Sequence, residues 1–382
     1  MGVRLRLWIQ ICFRHIAVAV TDTGFVTLAA ALCQKEVAKR AGRGTMGDME
    51  ANPDISAVIV TRNRRDALDA AIASVRAQQG VAAEIIVVDN GSADGTAGHV
   101  RAAHPDVRLV CFDRNQGAPG GRNAGAAAAR APLLFFLDDD AALTDPDAFG
   151  RARAAFAADP ALGVVFGAVL NAHTGAPEWR EFTFQRAPGI PPRPVYTSLF
   201  LAGAAFIPAA VYRNLGGYDA SFFCYAEEFD LALRLIAAGR RILFRPDITL
   251  RHAAHPNRIP SGTARMLNMR NYLLAHWKSL PTGTACAATI HCLATRLAGA
   301  AREGWILRYP LAVAGWLARM PGILLRGRRR PMDRAAFQRL LQLNAATCED
   351  HAELERRPPL SLAGYVRAVR ANRRARREAG GS

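Results

Sequence analysis

Short apolar runs alternate with amphipathic stretches in the first half of the chain after residue 54. Each run is rich in β-branched or other apolar residues and is followed by a polar turn and a helical pattern; the runs are "ISAVIV" (55–60), "EIIVVD" (84–89), "VRLVCF" (107–112) and "LLFFLD" (133–138). Because strands that alternate with helices at this spacing form parallel sheets, the pattern predicts a doubly wound α/β fold. Ligands of such sheets bind at the carboxyl ends of the strands.

The regular alternation of apolar runs with helical stretches ends after Pro146. Two apolar runs, 162–171 and 198–212, follow without a long helix between them, so we expect the sheet to become mixed. Residues 227–239 are predicted to form a helix with Gly239 as its C-cap. Residues 240–252 are predicted to form short strands around Pro246.

Polar side chains cluster where three of the predicted parallel strands end. The clusters are Thr61 to Arg65, Asp89 to Ser92, and Asp138 to Asp140. Solvated turns are one interpretation, since Asp is common where strands end. A cation site is the other, because hard divalent ions prefer carboxylate oxygens. Side chains alternate along a strand, so Asp138 and Asp140 are expected on one side and Asp139 on the other. Three clusters at one sheet edge favour the cation site.

The composition of the chain indicates which partners and which cellular compartment to expect. The chain has 382 residues, 51% hydrophobic, and a net charge of +17 that is carried almost entirely by arginine. A basic excess favours polyanionic partners. The seven cysteines show no paired spacing, which is typical of a reducing compartment. We therefore expect a cytoplasmic protein, and we find no uninterrupted apolar run of the length that a membrane span needs.

Four segments differ in character along the chain. Residues 1–50 are interpreted as an N-terminal extension of doubtful structure, with Met46 or Met49 as an alternative start. Residues 51–257 carry the α/β pattern, residues 258–350 form a basic and mainly helical region, and residues 351–382 form an arginine-rich tail.

Five segments between residues 57 and 247 carry a family resemblance in their order and spacing. They are "AVIVTRNRRDAL", "IIVVDNGSADGT", "NQGAPGGRNAG", "LFFLDDDA" and "GGYDASFFCYAEEFDLALRLIAAGRRILFRPD". Together they resemble the inverting nucleotide-sugar glycosyltransferases of family 2, which have the Rossmann-like GT-A fold, and among them the rhamnosyl- and galactofuranosyltransferases of bacterial envelopes. The resemblance implies transfer of a sugar from a UDP- or dTDP-linked donor to a hydroxyl of a glycan or polyprenyl-linked acceptor.

The resemblance also implies which residues bind the donor. Thr61, Asn63 and Asp89 match positions near the nucleotide base, although Thr61 could instead cap a strand and Asp89 could close an Asx turn. Asn115 and Arg122 belong to the glycine-rich segment, in which Arg122 is expected to reach the diphosphate.

The aspartates then match the family's DxD motif. Asp138 is expected to face the ribose or a metal-bound water, and Asp140 is expected to bind Mg²⁺ or Mn²⁺. His252 matches a histidine that is an extra metal ligand in some members, although a lone histidine is more often structural.

An inverting transfer also needs a general base for the acceptor hydroxyl. Glu228 matches the family's base position, where Asp is commoner, and Glu227 is the alternative. Asp230 is interpreted as an acid that complements the helix dipole. Gly203 and Ala204 match the small residues on the acceptor side.

Alternatives remain for the activity of the α/β part and for the role of the C-terminal region. A nucleotidyltransferase of related fold would need a glycine-rich loop after the first strand, which is missing, and an inactive sugar-nucleotide scaffold would have lost the aspartates or the base, which are present. The arginine-rich C-terminal region fits either helices at an anionic bilayer on the inner face of the cell membrane or a solvated helical face. Nucleic acid is not expected as a partner, because no recognised binding module is present.

Overall fold

The computed structural model describes residues 52–177, 190–253, 261–325, 327–345 and 348–361, with isolated positions after that. The N-terminal extension and most of the arginine-rich tail lie outside the described residues. Residues 52–382 cluster as one compact unit. Among the described helices, none combines the length and the apolar character that crossing a bilayer requires.

One nine-stranded mixed sheet forms the centre of the fold, with the strand order β3-β2-β1-β4-β8-β6-β9-β5 and β7 paired to β9. Its strands are β1 Ile55–Thr61, β2 Ala83–Asp89, β3 Arg108–Cys111, β4 Leu133–Asp138, β5 Ala141–Leu143, β6 Leu162–Asn171, β7 Val195–Tyr196, β8 Ala204–Pro208 and β9 Arg241–His252. Strands β3, β2, β1 and β4 are parallel, whereas β8 is antiparallel to both β4 and β6.

Helices cover the sheet and continue beyond it. They are α1 Arg65–Arg76, α2 Thr96–Ala103, α3 Gly117–Ala128, α4 Ala148–Ala158, α5 Ala209–Asn214, α6 Glu227–Ala237, α7 Ser261–Ser279, α8 Thr282–Arg302, α9 Tyr309–Leu317, α10 Met320–Leu324, α11 Arg334–Ala345 and α12 His351–Arg356. Short 3₁₀ turns span Ala220–Phe222 and Ile306–Arg308. The predicted mixed α/β fold with a helical C-terminal region is confirmed.

Two local predictions were wrong in detail, and helix α4 was not predicted. Helix α4 lies between β5 and β6, in a stretch too rich in alanine to show a clear amphipathic pattern. Only Ala204–Pro208 of the predicted strand 198–212 is extended, since helix α5 begins at Ala209. Residues 241–252 form one strand, because the pairing with β6 shifts register between Gly167 and Ala168. That irregularity removes Pro246 from the regular ladder.

Apolar clusters lie on both faces of the sheet. One contains Ile59 and Phe135 and packs under α1 and α4. The other contains Val58 and Phe136 and continues without interruption into the C-terminal helices, where Leu273 is fully buried. The described sheet ends with β9 at His252, the described C-terminal helices begin with α7 at Ser261, and both parts share one core. The boundary at residue 257 stays a prediction, because that residue lies outside the described ranges.

Candidate active site

The carboxyl ends of three strands meet at one edge of the sheet. Thr61 at the end of β1 pairs with Asp89 at the end of β2, and Val60 pairs with Asp138 at the end of β4. A cleft of about 740 Å³ opens at this edge, and residues of the strand-end loops, α6 and α7 line it. The parallel pairing thus brings polar side chains from distant parts of the sequence to one cleft.

Two carboxylates and one imidazole converge in the cleft. Ligand atoms of Asp138, Asp140 and His252 all lie within 4.8 Å of one another, and Nε2 of His252 is 3.1 Å from Oδ1 of Asp140. His252 reaches this position because it ends β9 and pairs with Ala141 of β5. Two carboxylates with an imidazole form a donor set that fits a divalent cation such as Mn²⁺.

Arg64 is a site residue that the sequence analysis missed. Its Nη1 donates to Oδ1 of Asp139 at 2.7 Å and to Oδ2 of Asp140 at 2.8 Å. Burial raises the pKa of Asp139 to about 6, although Arg64 opposes this shift. The arginines after β1 were visible in "TRNRRDAL", but no local pattern indicates that one of them turns back to the aspartates.

Arg122 joins two acidic groups of the cleft, one from the end of β4 and one from the start of α6. Its Nη2 donates to Oδ1 of Asp138 at 2.8 Å, and its Nη1 donates to Oε1 of Glu227 at 3.0 Å. Gly121 and Gly125 of the same helix let α3 approach β1, since a Cβ at either position would meet the side chain of Val60 or Val58 at 2.5 Å or less. Arg122 lines the cleft, as expected, but its guanidinium is engaged by carboxylates.

The two glutamates at the start of α6 differ in their surroundings. Glu227 is buried and paired with Arg122. Both line the cleft, but Glu228 is only half-buried and has no arginine partner at hydrogen-bond distance among the described contacts. Burial, followed by repulsion from Glu227, raises the pKa of Glu228 to about 8. Of the two, Glu228 is the one placed to exchange a proton with a bound molecule.

A strained loop precedes these glutamates. Phe223, Tyr225 and Ala226 have φ angles of 65°, 69° and 61°, a region that non-glycine residues rarely adopt. Asn271 of α7 is fully buried, and its Nδ2 lies 2.8 to 3.0 Å from three backbone carbonyl oxygens of the loop, those of Phe222, Cys224 and Tyr225. A residue of the C-terminal helices therefore fixes the loop beside Glu227 and Glu228.

The residues predicted to bind the donor occupy two kinds of position. Thr61, Asn63 and Asn115 line the cleft. Asn63 also holds the neighbouring loop, because its Oδ1 accepts a hydrogen bond from the backbone of Ala93 at 2.8 Å. Asp89 is 4% exposed and accepts from the backbone N–H of Ser92 at 2.9 Å. The Asx-turn interpretation thus describes Asp89 in this structure, and a base contact stays a prediction.

The predicted acceptor-side pair lies beneath the cleft. A Cβ on Gly203 would lie 2.1 Å from Oδ2 of Asp138, so glycine is needed for the carboxylate to fit there. Ala204 is fully buried and pairs with Leu137 in the sheet. Ala204 therefore does not face the acceptor side as predicted, because it belongs to the strand that supports Asp138.

A second group of metal-ligand type lies on α1 and α2. Oδ1 of Asp69 is 2.8 Å from Nε2 of both His99 and His104. However, Nδ1 of His104 is 3.0 Å from Nη1 of Arg76, which can only donate. That contact leaves the His104 proton on Nε2, where it is donated to Asp69, and the group is therefore better described as a hydrogen-bond network than as a metal site.

Comparison with known proteins bears directly on the cleft. Residues 56–201 match the family model Glycosyl transferase family 2. This segment contains the predicted strand-end clusters and the three aspartates, so the match agrees with the family resemblance over these residues.

Two curated relatives give the same indication. Over 89 residues the chain is 46% identical to the "Succinoglycan biosynthesis protein ExoO" of Rhizobium meliloti (strain 1021). The matched segment is 23% of this chain and 26% of that protein. Over 211 residues it is 27% identical to the "Pre-mycofactocin glycosyltransferase" of Mycobacterium tuberculosis (strain CDC 1551 / Oshkosh), covering 52% and 42%. The chain thus spans less than half the length of these relatives.

A solved structure shares the fold. The crystal structure of GalNAc-T7 with UDP, GalNAc and Mn²⁺ superposes with a TM-score of 0.50 at 17% identity, over 61% of this chain and 49% of that chain. The GT-A assignment rests on this likeness together with the family match.

Proposed function

We propose that this protein is a metal-dependent inverting glycosyltransferase that moves a sugar from a nucleotide-diphosphate donor to an acceptor hydroxyl. One observation supports this most strongly. The Asp138–Asp140–His252 group and the proton-accepting Glu228 line the same cleft, at the carboxyl ends of the parallel strands. A donor-binding group and a general base within one cleft are the two parts that a single displacement needs.

The metal would be held by Asp138, Asp140 and His252. A bound divalent cation supplies positive charge that stabilises the departing diphosphate. Mg²⁺ strongly prefers oxygen ligands, whereas Mn²⁺ and later metals accept imidazole more readily. The mixed donor set therefore favours Mn²⁺ over Mg²⁺.

Glu228 would accept the proton of the attacking hydroxyl. Its raised pKa keeps the carboxylate basic enough to take a proton near neutral or slightly alkaline pH. Arg122 keeps Glu227 paired and turned away from that role. Apolar side chains of the cleft wall, Leu199, Leu201 and Phe229, limit the access of water to the reacting groups.

The donor and acceptor are proposed from the relatives. UDP- or dTDP-linked sugars are the expected donors, and the GalNAc-T7 structure was solved with UDP. The similarity to a succinoglycan biosynthesis protein supports an envelope glycan or a polyprenyl-linked glycan as acceptor. Rhamnose and galactofuranose are the sugars that the sequence resemblance favours.

The full-length protein can be tested against a panel of donors that contains UDP-glucose, UDP-galactose, UDP-galactofuranose, dTDP-rhamnose and GDP-mannose. Membrane lipid extract supplies the acceptor, Mn²⁺ or Mg²⁺ is added, and released nucleoside diphosphate is measured. We expect release with one donor that requires both metal and acceptor.

Two variants serve as controls. Asp140→Ala removes a proposed metal ligand and should abolish transfer in a folded protein. Glu228→Gln removes the base while keeping the shape and should lower kcat by roughly 10²–10⁴-fold. Full activity in EDTA would exclude the metal role. Diphosphate release from a nucleoside triphosphate and a sugar phosphate, without sugar transfer, would replace the proposal with nucleotidyl transfer.

A further inference from the structure

Exposed apolar side chains concentrate in one part of the described chain. Apart from Phe223 in the cleft, every exposed large apolar residue of the described chain lies between residues 290 and 325. Leu307 and Leu325 are each 83% exposed. Single exposed leucines are ordinary on protein surfaces, but a concentration of this kind marks an interaction surface.

Helices α9 and α10, with the residue that follows α10, carry four of these side chains, namely Leu311, Leu317, Leu324 and Leu325. Their inner side packs into the core through Ala312, Trp316, Met320 and Ile323. The exposed positions from residue 309 to residue 325 are all apolar, namely Pro310, Leu311, Leu317, Ala318, Pro321, Leu324 and Leu325. We call these seven residues the apolar face. The sequence pattern fits either a bilayer contact or a solvated face in this region and does not separate the inner and outer sides of these helices. Trp316 lies on the inner side.

Positive charge flanks the apolar face. No Asp or Glu occurs from residue 304 to residue 332. Arg308 lies before the face and Arg328 and Arg330 lie after it, and all three are exposed. Arg329 has a different role, because it donates to the backbone carbonyl of Leu280 and to Oγ1 of Thr282 and thereby holds the end of α7.

We propose that the apolar face inserts shallowly into an anionic lipid bilayer, with the flanking arginines at the head groups. Apolar side chains flanked by arginine suit the boundary between head groups and acyl chains. The charge argues against a second copy of the chain as the occupant, because pairing two such faces would bring like-charged arginines together on a molecule whose net charge is +17.

The apolar face is also connected to the cleft. Helix α9 packs against α7 at Gly315, where a Cβ would lie 3.3 Å from the side chain of Arg270. Helix α7 in turn carries Asn268 and Tyr272, which line the cleft. Binding through the apolar face would hold the cleft at a fixed orientation to the bilayer, which suits a lipid-linked acceptor. This last point rests on the proposed function, whereas the bilayer contact does not.

The test is co-sedimentation of the full-length protein with vesicles of phosphatidylglycerol and phosphatidylcholine in equal parts, beside vesicles of phosphatidylcholine alone. We expect binding to the anionic vesicles that weakens when NaCl is raised from about 0.1 M to about 0.5 M. The double variant Leu311→Asp/Leu325→Asp should bind at least about tenfold more weakly. Arg328→Gln/Arg330→Gln should reduce both the binding and its dependence on salt.

A matched control separates local insertion from the change in net charge. Ala102→Asp/Ala157→Asp adds the same two charges at exposed positions of the α/β part, and it should leave binding within about twofold of the unmodified protein. If the leucine variant unfolds, Leu325→Ser alone should still weaken binding. Unchanged binding of the leucine variants, failure of the unmodified protein to bind anionic vesicles, or leucine-dependent dimers in sedimentation velocity would each overturn the proposal. None of these measurements uses sugar transfer, so they stand apart from the enzymatic test.

Discussion

The side-chain amide of Asn271 donates to the backbone carbonyl of Tyr225 at 2.8 Å, and this contact ties the C-terminal helices to the loop before Glu227 and Glu228. The loop holds three residues at positive φ, each of which costs roughly 1–3 kcal/mol. Such a conformation persists only when its surroundings impose it. The C-terminal region therefore supports the proposed active site, and a chain that ends at residue 257 is not expected to keep that site intact.

Replacing Asn271 tests this relationship. Asn271→Leu keeps the volume but leaves buried carbonyl oxygens without a donor, which costs about 1–3 kcal/mol for each group. We expect a lower free energy of unfolding and a drop in kcat, with donor affinity changed less than kcat. The measurements are urea denaturation and steady-state kinetics with the donor that the panel identifies.

A buried amide elsewhere provides the control. Nε2 of Gln342 donates to the backbone carbonyls of Arg357 and Pro358 in the same manner, and Gln342 is not among the residues that line the cleft. Gln342→Leu should lower stability and leave kcat close to that of the unmodified protein. Equal kcat in both variants would show that Asn271 has only a structural role.

The acidity of Glu228 predicts the pH dependence of the reaction. A general base acts in its deprotonated form, and the pKa of Glu228 is raised to about 8 by burial and by Glu227. The value of kcat/KM should therefore rise with pH towards about 8 and level off above it. Glu228→Gln should lower kcat by roughly 10²–10⁴-fold and remove this rise.

The neighbouring glutamate supplies the contrasting variant. Glu227→Gln removes a partner of Arg122 and the repulsion that raises the pKa of Glu228. We expect the rise in kcat/KM to move to lower pH and activity to be retained. If Glu227→Gln abolishes the reaction and Glu228→Gln does not, the base is Glu227.

Arg64 should compete with a cation for the aspartates. Its guanidinium donates to both Asp139 and Asp140, so it supplies positive charge where a metal ion would bind. Arg64→Ala should bind Mn²⁺ about three- to tenfold more tightly in the absence of nucleotide. Electron paramagnetic resonance of free Mn²⁺ measures this without any turnover.

A nearby arginine makes the comparison specific. Arg62 also lines the cleft but is exposed, and Arg62→Ala should change Mn²⁺ affinity much less. Weaker Mn²⁺ binding in Arg64→Ala would mean that Arg64 orders the carboxylates for the metal and does not compete with it.

Lys278 should be essential for stability. Its Nζ lies 2.8 Å from Oδ2 of Asp219 and 2.6 Å from Oδ1 of the fully buried Asp230. Lys278→Met would leave Asp219 without this cation and Asp230 with Arg234 as its remaining partner. The loss should therefore exceed about 1 kcal/mol but stay below the roughly 3–5 kcal/mol of a fully uncompensated buried charge. Urea denaturation should show this loss, whereas Arg302→Met, at an exposed position, should be nearly neutral. A loss below about 1 kcal/mol for Lys278→Met would contradict the prediction.

The sequence by itself determined the order of strands and helices from β1 to β4 and the meeting of the polar clusters at one edge. Local hydrophobic periodicity predicts each strand. Parallel pairing then places the carboxyl ends of β1, β2 and β4 at the same edge of the sheet. The helix that begins at Glu227 was predictable for the same reason, since its apolar positions repeat with a helical period.

Only the tertiary structure decided which of these side chains meet. His252 reaches Asp140 through the antiparallel pairing of β5 with β9, and Asn271 reaches the loop at Tyr225 across 46 residues of sequence. The exposed side of α9 and α10 was also not predictable from the sequence. Both sides of these helices are apolar, and the pattern alone does not show which side is buried. Contacts between distant segments depend on how whole helices and strands pack against one another, and local sequence patterns do not predict that packing.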